Sequence, residues 1–238
     1  MDSRLLTKID GFYIADKESD LTALPQRISM GKKFYYKHMG FVYLPVEQDK
    51  LTQKQIIDLS NIRDKYFDSL IDKKIINQNY SLFWHLIKLY TRKFRKVNIL
   101  DFGAGSGGLP SFLRKRRFRF YGIDLNKKYS GNKDYQEYQI ISNKLEFQFP
   151  NSFFDIVVGC YVFHYNVPAK NLEEIYRVLK KGGFLIFNLY SSSREHKEKL
   201  FSKLKSLGFR WKMETFKSDL IFKGMNHHPI DFYVCKKF

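Results

Sequence analysis

Two cysteines in 238 residues, Cys160 and Cys235, exclude a disulfide framework and a cysteine-built metal cluster. Both fall in apolar runs expected as strands, and a reducing, cytoplasmic setting fits them. No apolar run approaches the roughly 20 residues needed to cross a bilayer, so no transmembrane segment is expected. The opening MDSRLLTKIDG is charged throughout, and no signal peptide is expected there. Internal repeats are absent, and low complexity is confined to the serines at 191–193. Acids are scarce beside bases, 24 Asp and Glu against 42 Lys and Arg, for a formal net charge of +18. One reading of this excess is an anionic partner such as RNA, a membrane surface or a phosphorylated substrate. The other is compositional. Lys, Asn, Ile, Phe and Tyr are abundant together, as AT-rich coding produces, and charge alone does not locate a patch.

What the chain does have is enough apolar residue, 44%, to pack a core, with aromatics at 17%. Its length fits one domain, or one domain with an extension. The most informative stretch is ILDFGAGSGGL, Ile99 to Leu109. An apolar run ends in Asp101, and glycines follow at 103, 105, 107 and 108. A strand that ends in a glycine-rich turn and enters a helix is a nucleotide-binding layout. Glycine lets the backbone turn sharply and come close to a ligand, and the helix start offers free N–H groups. Gly103, Gly105 and Gly108 also fit the G-x-G-x-x-G dinucleotide pattern, a weak match alone. A second apolar run, Tyr121 to Asp124, ends in an acid at the spacing of a ribose-binding residue. Asp101 stands where dinucleotide folds carry an apolar residue, and it favours a different cofactor.

Downstream come FPNSFFDIVVGCYVFHY (149–165) and NLEEIYRVLKKGGFLIFNLY (171–190). These four motifs in this order resemble the class I S-adenosylmethionine (SAM)-dependent methyltransferases, in particular the branch with F-D-x-V and R-V-L-K-x-G-G motifs. The resemblance runs from about residue 80 to the end. It implies an α/β fold with a Rossmann-like seven-stranded sheet, mostly parallel with an antiparallel last strand, and SAM as cofactor. The expected division is an N-terminal extension, residues 1–78, and a methyltransferase domain, residues 79–238.

The extension carries short aromatic strands, GFYIAD (11–16) and KFYYKHMGFVYLP (33–45), around turns at Pro25 and Gly31. Lys33, Lys37 and His38 among Phe34, Tyr35 and Tyr36 fit either a nucleic-acid stacking surface or, more commonly, an amphipathic hairpin. By analogy the extension serves as a lid or for substrate recognition. Residues 49–76 read as a helix broken by Asn77 and Asn79. A second helix then carries Leu82, Phe83, Leu86, Leu89 and Tyr90 on its apolar face. Two basic runs, RKFRK (92–96) and RKRRFR (114–119), each follow a helix, where positive charge is favourable by about 0.3–1 kcal/mol per group. The second lies at the end of the sheet away from the cofactor. Strands are expected at 118–123, 138–141, 154–160, 184–189, 209–215 and 230–235, with helices at 169–179 and 194–207. The link between the last two strands shows no helical repeat, so they are expected antiparallel.

The chemistry of SAM assigns roles to the residues that match. The turn of Gly103, Ala104, Gly105 and Gly107 approaches the amino-acid end. Asp101 brings negative charge to the ammonium, or anchors the turn. Asp124 accepts from the ribose hydroxyls and Leu125 packs on adenine. The family often has an acid where this chain has Asn143, whose carbonyl still accepts from the adenine amino group, and Leu145 flanks the ring. Cys160 and Tyr161 lie where the family meets the methionine end. His164 is the candidate general base, its alternative being a structural role. Tyr165 and Tyr190 are candidates for the acceptor pocket. His227 and His228 lack a third partner and read as loop, so no metal is expected.

No Asn/Asp-Pro-Pro-Tyr/Phe motif follows the strand expected at 154–160. That motif marks amino-methyltransferases of bases or glutamine, and its absence shifts weight toward small molecules. The leading expectation is methyl transfer to an oxygen or nitrogen, less readily a carbon, of a small-molecule acceptor. The alternatives are an RNA methyltransferase using the basic surface and a non-catalytic interaction module.

Overall fold

The computed structural model describes residues 6–15, 24–38, 41–70, 73–112, 116–141, 146–189, 192–216 and 230–238. The chain divides into two compact units, one built on residues 1–76 and one on 77–216 with 230–238.

Among the described residues the first unit holds five antiparallel strands: β1 (Leu6–Ile9), β2 (Phe12–Ala15), β3 (Arg27–Met30), β4 (Lys33–His38) and β5 (Val42–Leu44). Their order in the sheet is β1-β2-β5-β4-β3. Between β1 and β2, Asp10 and Gly11 both take positive φ (49° and 86°). That is the two-residue turn whose twist matches a hairpin. The sequence signalled β2, β4 and β5 but not β1 and β3, which are short and mostly solvent-facing. Ile28, Tyr35 and Tyr43 form a small core, with Tyr13 edge-on to Tyr35 at 4.7 Å. His38 is buried, and Lys37 donates to the Leu24 carbonyl at 2.9 Å. These two residues are thus committed within the unit, as in an amphipathic hairpin, while Phe34 stays exposed under the Arg27 guanidinium.

Helix α1 (Gln53–Leu70) opens on a reciprocal cap. Gln55 N–H donates to Thr52 Oγ1 (3.3 Å) and Thr52 N–H donates to Gln55 Oε1 (2.9 Å). The next helix, α2 (Lys73–Thr91), runs straight through Asn77 and Asn79. The expected break there is corrected. Each Asn costs a helix well under 1 kcal/mol, which is less than burying Phe83, Leu86 and Ile87 on the same helix returns.

The second unit adds β6 (Val97–Phe102), α3 (Gly108–Phe112), β7 (Phe118–Asp124), β8 (Glu137–Ile140), β9 (Phe154–Gly159), α4 (Ala169–Val178), β10 (Leu179–Leu189), α5 (Arg194–Ser206), β11 (Phe209–Phe216) and β12 (Ile230–Lys237). The sheet order is β11-β12-β10-β9-β6-β7-β8. β12 runs antiparallel to both neighbours, while β8, β7, β6, β9 and β10 are parallel. Every residue of β9 is buried, as befits a strand covered on both faces. β10 begins at Leu179, earlier than the sequence indicated. It carries an irregularity between Leu179 and Phe184, where Gly182 turns at φ 78°.

The two family-like motifs turn out to hold the scaffold. Arg177 grips both oxygens of Glu174 (2.9 and 2.7 Å) and donates to the carbonyls of Phe149 and Phe147 (2.9 Å each) and to Asn151. Glu174 in turn accepts the Phe147 N–H. Asp155 joins the Lys180 ammonium (2.7 Å) to the Asn98 N–H (2.8 Å) at the start of β6. These bonds fix β6 and β9 side by side, and chain order reverses between those two strands. That is where open α/β sheets bind ligands, at the carboxyl ends.

Candidate functional site

Parallel pairing sets Asp101 level with Gly122 on one side and Val158 on the other. The ends of β6, β7 and β9 therefore come together, and the glycine turn leaves from the middle of them. Gly103, Gly105 and Gly107 all take positive φ (77°, 50° and 89°). At Gly103 a Cβ would also collide with the Val162 side chain. Glycine is required there twice over.

The turn is tied inward. The N–H groups of Gly103 and Ala104 both donate to the Ile123 carbonyl (2.8 and 3.1 Å), and Gly107 N–H donates to Ala104. Gly105 N–H donates to Asp124 Oδ2 at 2.9 Å, while Asp124 Oδ1 takes the Asn126 N–H at 2.7 Å. Tyr138 donates to the Gly105 carbonyl and Asn132 to the Ser106 carbonyl, each at 2.9 Å. Each Asp124 oxygen thus holds one backbone amide. The carboxylate is half-buried at the end of β7.

Asp101 is 3% exposed, and Tyr135 donates to its Oδ2 at 2.7 Å. Burial pushes this carboxyl up to about 7. The Tyr135 hydrogen bond pulls it down, and the nearby Asp124 charge pushes it up further. A buried acid that ionises near neutrality, with a phenol aimed at it, is a poised partner for a cation.

Beyond β9 the backbone bends at Tyr161, a non-glycine residue at φ 55°. The Tyr161 N–H is held by Asn188 Oδ1 at 2.8 Å. Asn188 is fully buried at the end of β10, and its Nδ2 has no hydrogen-bond partner among the described residues. His164 is 3% exposed, with its ring 4.0 Å from that of Tyr165. Phe163 stacks on Phe187 at 4.4 Å, and its carbonyl meets His196 Nε2 of α5 at 2.8 Å. Strain at such a bend is tolerated where surrounding bonds over-determine it.

Of the residues singled out in the sequence, Asp101, Gly103, Ala104, Gly105, Gly107 and Asp124 are brought together directly. Leu125 follows Asp124 and packs against the core of this unit. Cys160, Tyr161, His164 and Tyr165 lie on the adjoining segment after β9, which approaches the turn through Val162. Asn143, Leu145, Tyr190, His227 and His228 lie outside the described residues. Among the described residues, no three His, Cys, Asp or Glu side chains gather as a metal site. No helix among them is long and apolar enough to cross a membrane. Tyr135, Tyr138, Asn132, Val162 and Asn188 were not found from sequence. Tyr135 and Asn132 sit in a polar stretch without periodicity, which offers no signal. Asn188 interrupts the apolar run 184–189, and a polar residue inside a buried strand is a usable one.

A doubly wound sheet with a glycine turn between two strand-end acids defines a Rossmann-like fold of the class I type. Residues 100–187 match the family model of a methyltransferase domain. A protein of Anoxybacillus flavithermus, described as an uncharacterized methyltransferase, is 30% identical over 122 residues, or 47% of this chain. The chain spans 56% of that relative's length. Among solved structures, the [4+2]-cyclase SpnF superposes with a TM-score of 0.57 at 14% identity, covering 78% of this chain and 96% of that one. The CurJ carbon methyltransferase gives 0.55 at 16%, covering 79% and 62%. Phosphoethanolamine N-methyltransferase 2 of Haemonchus contortus, in complex with SAM, gives 0.55 at 16%, covering 89% and 70%. At these identities the likeness is one of fold. The match to a methyltransferase domain thus falls on the glycine turn and the strands around it, in a sheet with the class I strand order.

Proposed function

We propose that this chain transfers a methyl group from SAM to an oxygen or nitrogen atom of a small-molecule acceptor by in-line displacement. The observation that carries the reading is the pair of strand-end acids around the locked glycine turn, with Asp124 bound to Gly105 N–H and Asp101 bound to Tyr135. A carboxylate at the end of β7 beside the glycine turn suits two ribose hydroxyls, and a buried acid suits an ammonium. The residues present therefore fit the cofactor. When bound, SAM supplies an activated methyl group on a good leaving group.

The chain's own part is to hold and to exclude. Asp124 clasps the ribose and Leu125 covers the adenine. Gly103, Ala104, Gly105 and Gly107 shape the floor under the amino-acid end, and Asp101 faces its ammonium. Cys160 and Tyr161 border the methionine end. Tyr165 borders the acceptor side. His164 takes the proton that an attacking hydroxyl or amine must lose. Alignment alone lowers such a barrier by as much as about 7–11 kcal/mol. Residues 1–78 serve as the extension that selects the acceptor, and residues 79–238 as the transferase domain. Cys160 and Cys235 form no disulfide, which fits a reducing, cytoplasmic setting.

Isothermal titration with SAM tests the reading. Micromolar binding is expected, weakened at least about 30-fold in Asp124→Ala, which loses its ribose acceptors and a tie of the glycine turn. No binding by the intact chain overturns the proposal.

A further inference from the structure

The two basic runs stand apart in the sequence and together in the fold. Strand β6 starts at Val97, directly after RKFRK, and β7 starts at Phe118, directly after Arg116 and Arg117. The two strands pair in parallel, with Val97 opposite Phe118 and Asn98 opposite Arg119. Val97 N–H donates to the Arg117 carbonyl at 2.9 Å, and the Arg117 guanidinium reaches the Phe94 carbonyl at 3.5 Å. Residues 92–96 and 116–119 therefore form one edge at the amino ends of the strands. Spanning the six residues of β6 separates this edge from the glycine turn by about 17 Å.

Arg92, Lys93, Arg95, Lys96, Arg116 and Arg119 are all exposed. None of them enters an ion pair among the described residues. No acid occurs between Lys88 and Leu100 or between Phe102 and Ile123. Asp155, which reaches this end of β6, is already neutralised by Lys180. Phe94 projects from the centre of its run, 38% exposed. Lys88 adds a further cation, 4.7 Å above Trp84, which meets Phe118 edge-on at 5.3 Å.

Two bland accounts fall short. Cations at a helix end interact with its dipole only within the last turn. Helix α2 ends at Thr91 and α3 at Phe112, so Arg95, Lys96, Arg116 and Arg119 lie beyond that reach. Compositional bias toward AT-rich codons enriches lysine, and this chain indeed has 30 lysines against 12 arginines. Yet six of those 12 arginines fall between Arg92 and Arg119. Arginine is the residue whose planar fork matches phosphate oxygens.

We propose that this basic edge is a docking surface for the phosphodiester backbone of a nucleic acid, remote from the cofactor site. The arginines grip phosphates and Phe94 offers a face to a base, so binding is insensitive to sequence and sensitive to salt. A lipid surface fits less well. Phe94 is the one large hydrophobe the two runs expose among the described residues, and interfacial anchors need a broader apolar face.

The test is fluorescence anisotropy of the full chain with a labelled single-stranded RNA of about 30 nucleotides, repeated from 50 to 200 mM salt. About five contacts at about 0.7 each predict a roughly 100-fold loss of affinity across that range. The triple variant Arg95→Glu, Arg116→Glu, Arg119→Glu should bind at least tenfold more weakly at 50 mM. Its salt slope should fall by about 2, with SAM affinity unchanged. A control with equal change in net charge, Lys170→Glu, Lys181→Glu, Lys205→Glu, should stay within about threefold of the parent in RNA affinity. If the triple variant loses its thermal transition, the neutralising pair Arg95→Gln, Arg116→Gln replaces it, with a slope reduced by about 1.4. Equal losses in patch and control variants, or no RNA binding at 50 mM, overturn the proposal. So does sedimentation with phosphatidylserine vesicles in the absence of RNA binding. The SAM titration is a separate readout, so failure here and failure of the proposed transferase activity are distinguishable.

Discussion

Asp101→Asn should make the ligand-free protein more stable while weakening the site. Burial raises this carboxyl from an ordinary 3.8 to about 7. A native group whose pKa is raised holds its proton more tightly than the unfolded chain does. Its contribution favours folding below about pH 4 and is lost as pH climbs through 7. A gap of about 3 units corresponds to about 4 kcal/mol between those limits. Asparagine keeps the shape and still accepts from Tyr135, but its Nδ2 needs a partner, so about half of that is expected back. Some 2 kcal/mol at pH 8 raises the melting temperature by about 4–8 °C in a chain of this size. At pH 5 the parent still keeps most of this term, so the gain should vanish and the two proteins should melt within a few degrees of each other. Circular dichroism melts at both pH values, without ligand, make the comparison, and titration with SAM should show at least a tenfold loss in the variant. A variant less stable than its parent at pH 8, or an equal difference at both pH values, refutes the reasoning.

Arg177→Ala strands the buried Glu174 carboxylate and frees the 147–151 segment, so urea unfolding should show a loss of about 3–5 kcal/mol. Burial pushes the Glu174 carboxyl up, but the Arg177 bonds and the Phe147 N–H outweigh it and leave it below its ordinary value. The stability this adds is present above pH 4.5 and lost as pH falls through the lowered native value, so the acid-induced loss should shrink in the variant. His164→Gln should cut the rate of methyl transfer from radiolabelled SAM into fractionated extract by about 100-fold, with SAM affinity unchanged; an unaltered rate removes the base assignment.

The order of strands was legible because its signals are local. Asp101 with its glycines, Asp124 after an apolar run and the 154–160 run each mark a strand end within a few residues. The antiparallel β12 followed from a link with no helical repeat. β1 and β3 escaped because four-residue, solvent-facing strands leave no periodicity. The break expected at Asn77 and Asn79 failed because packing on one helical face overrides weak propensity. Tyr135 reaches Asp101 from 34 residues away across β7, and no local pattern encodes such a pairing. Arg177 and Asp155 were visible as motif letters, yet their work in joining strands emerges only from their bonds.

The inward ties of the glycine turn carry one more consequence. Gly103, Ala104, Gly105 and Gly107 have their amide hydrogens bonded before any ligand arrives. The conformational entropy of that loop is given up during folding, and an incoming molecule meets a surface already set. Those four amides should exchange with deuterium slowly in the free protein and little more slowly once the pocket is filled.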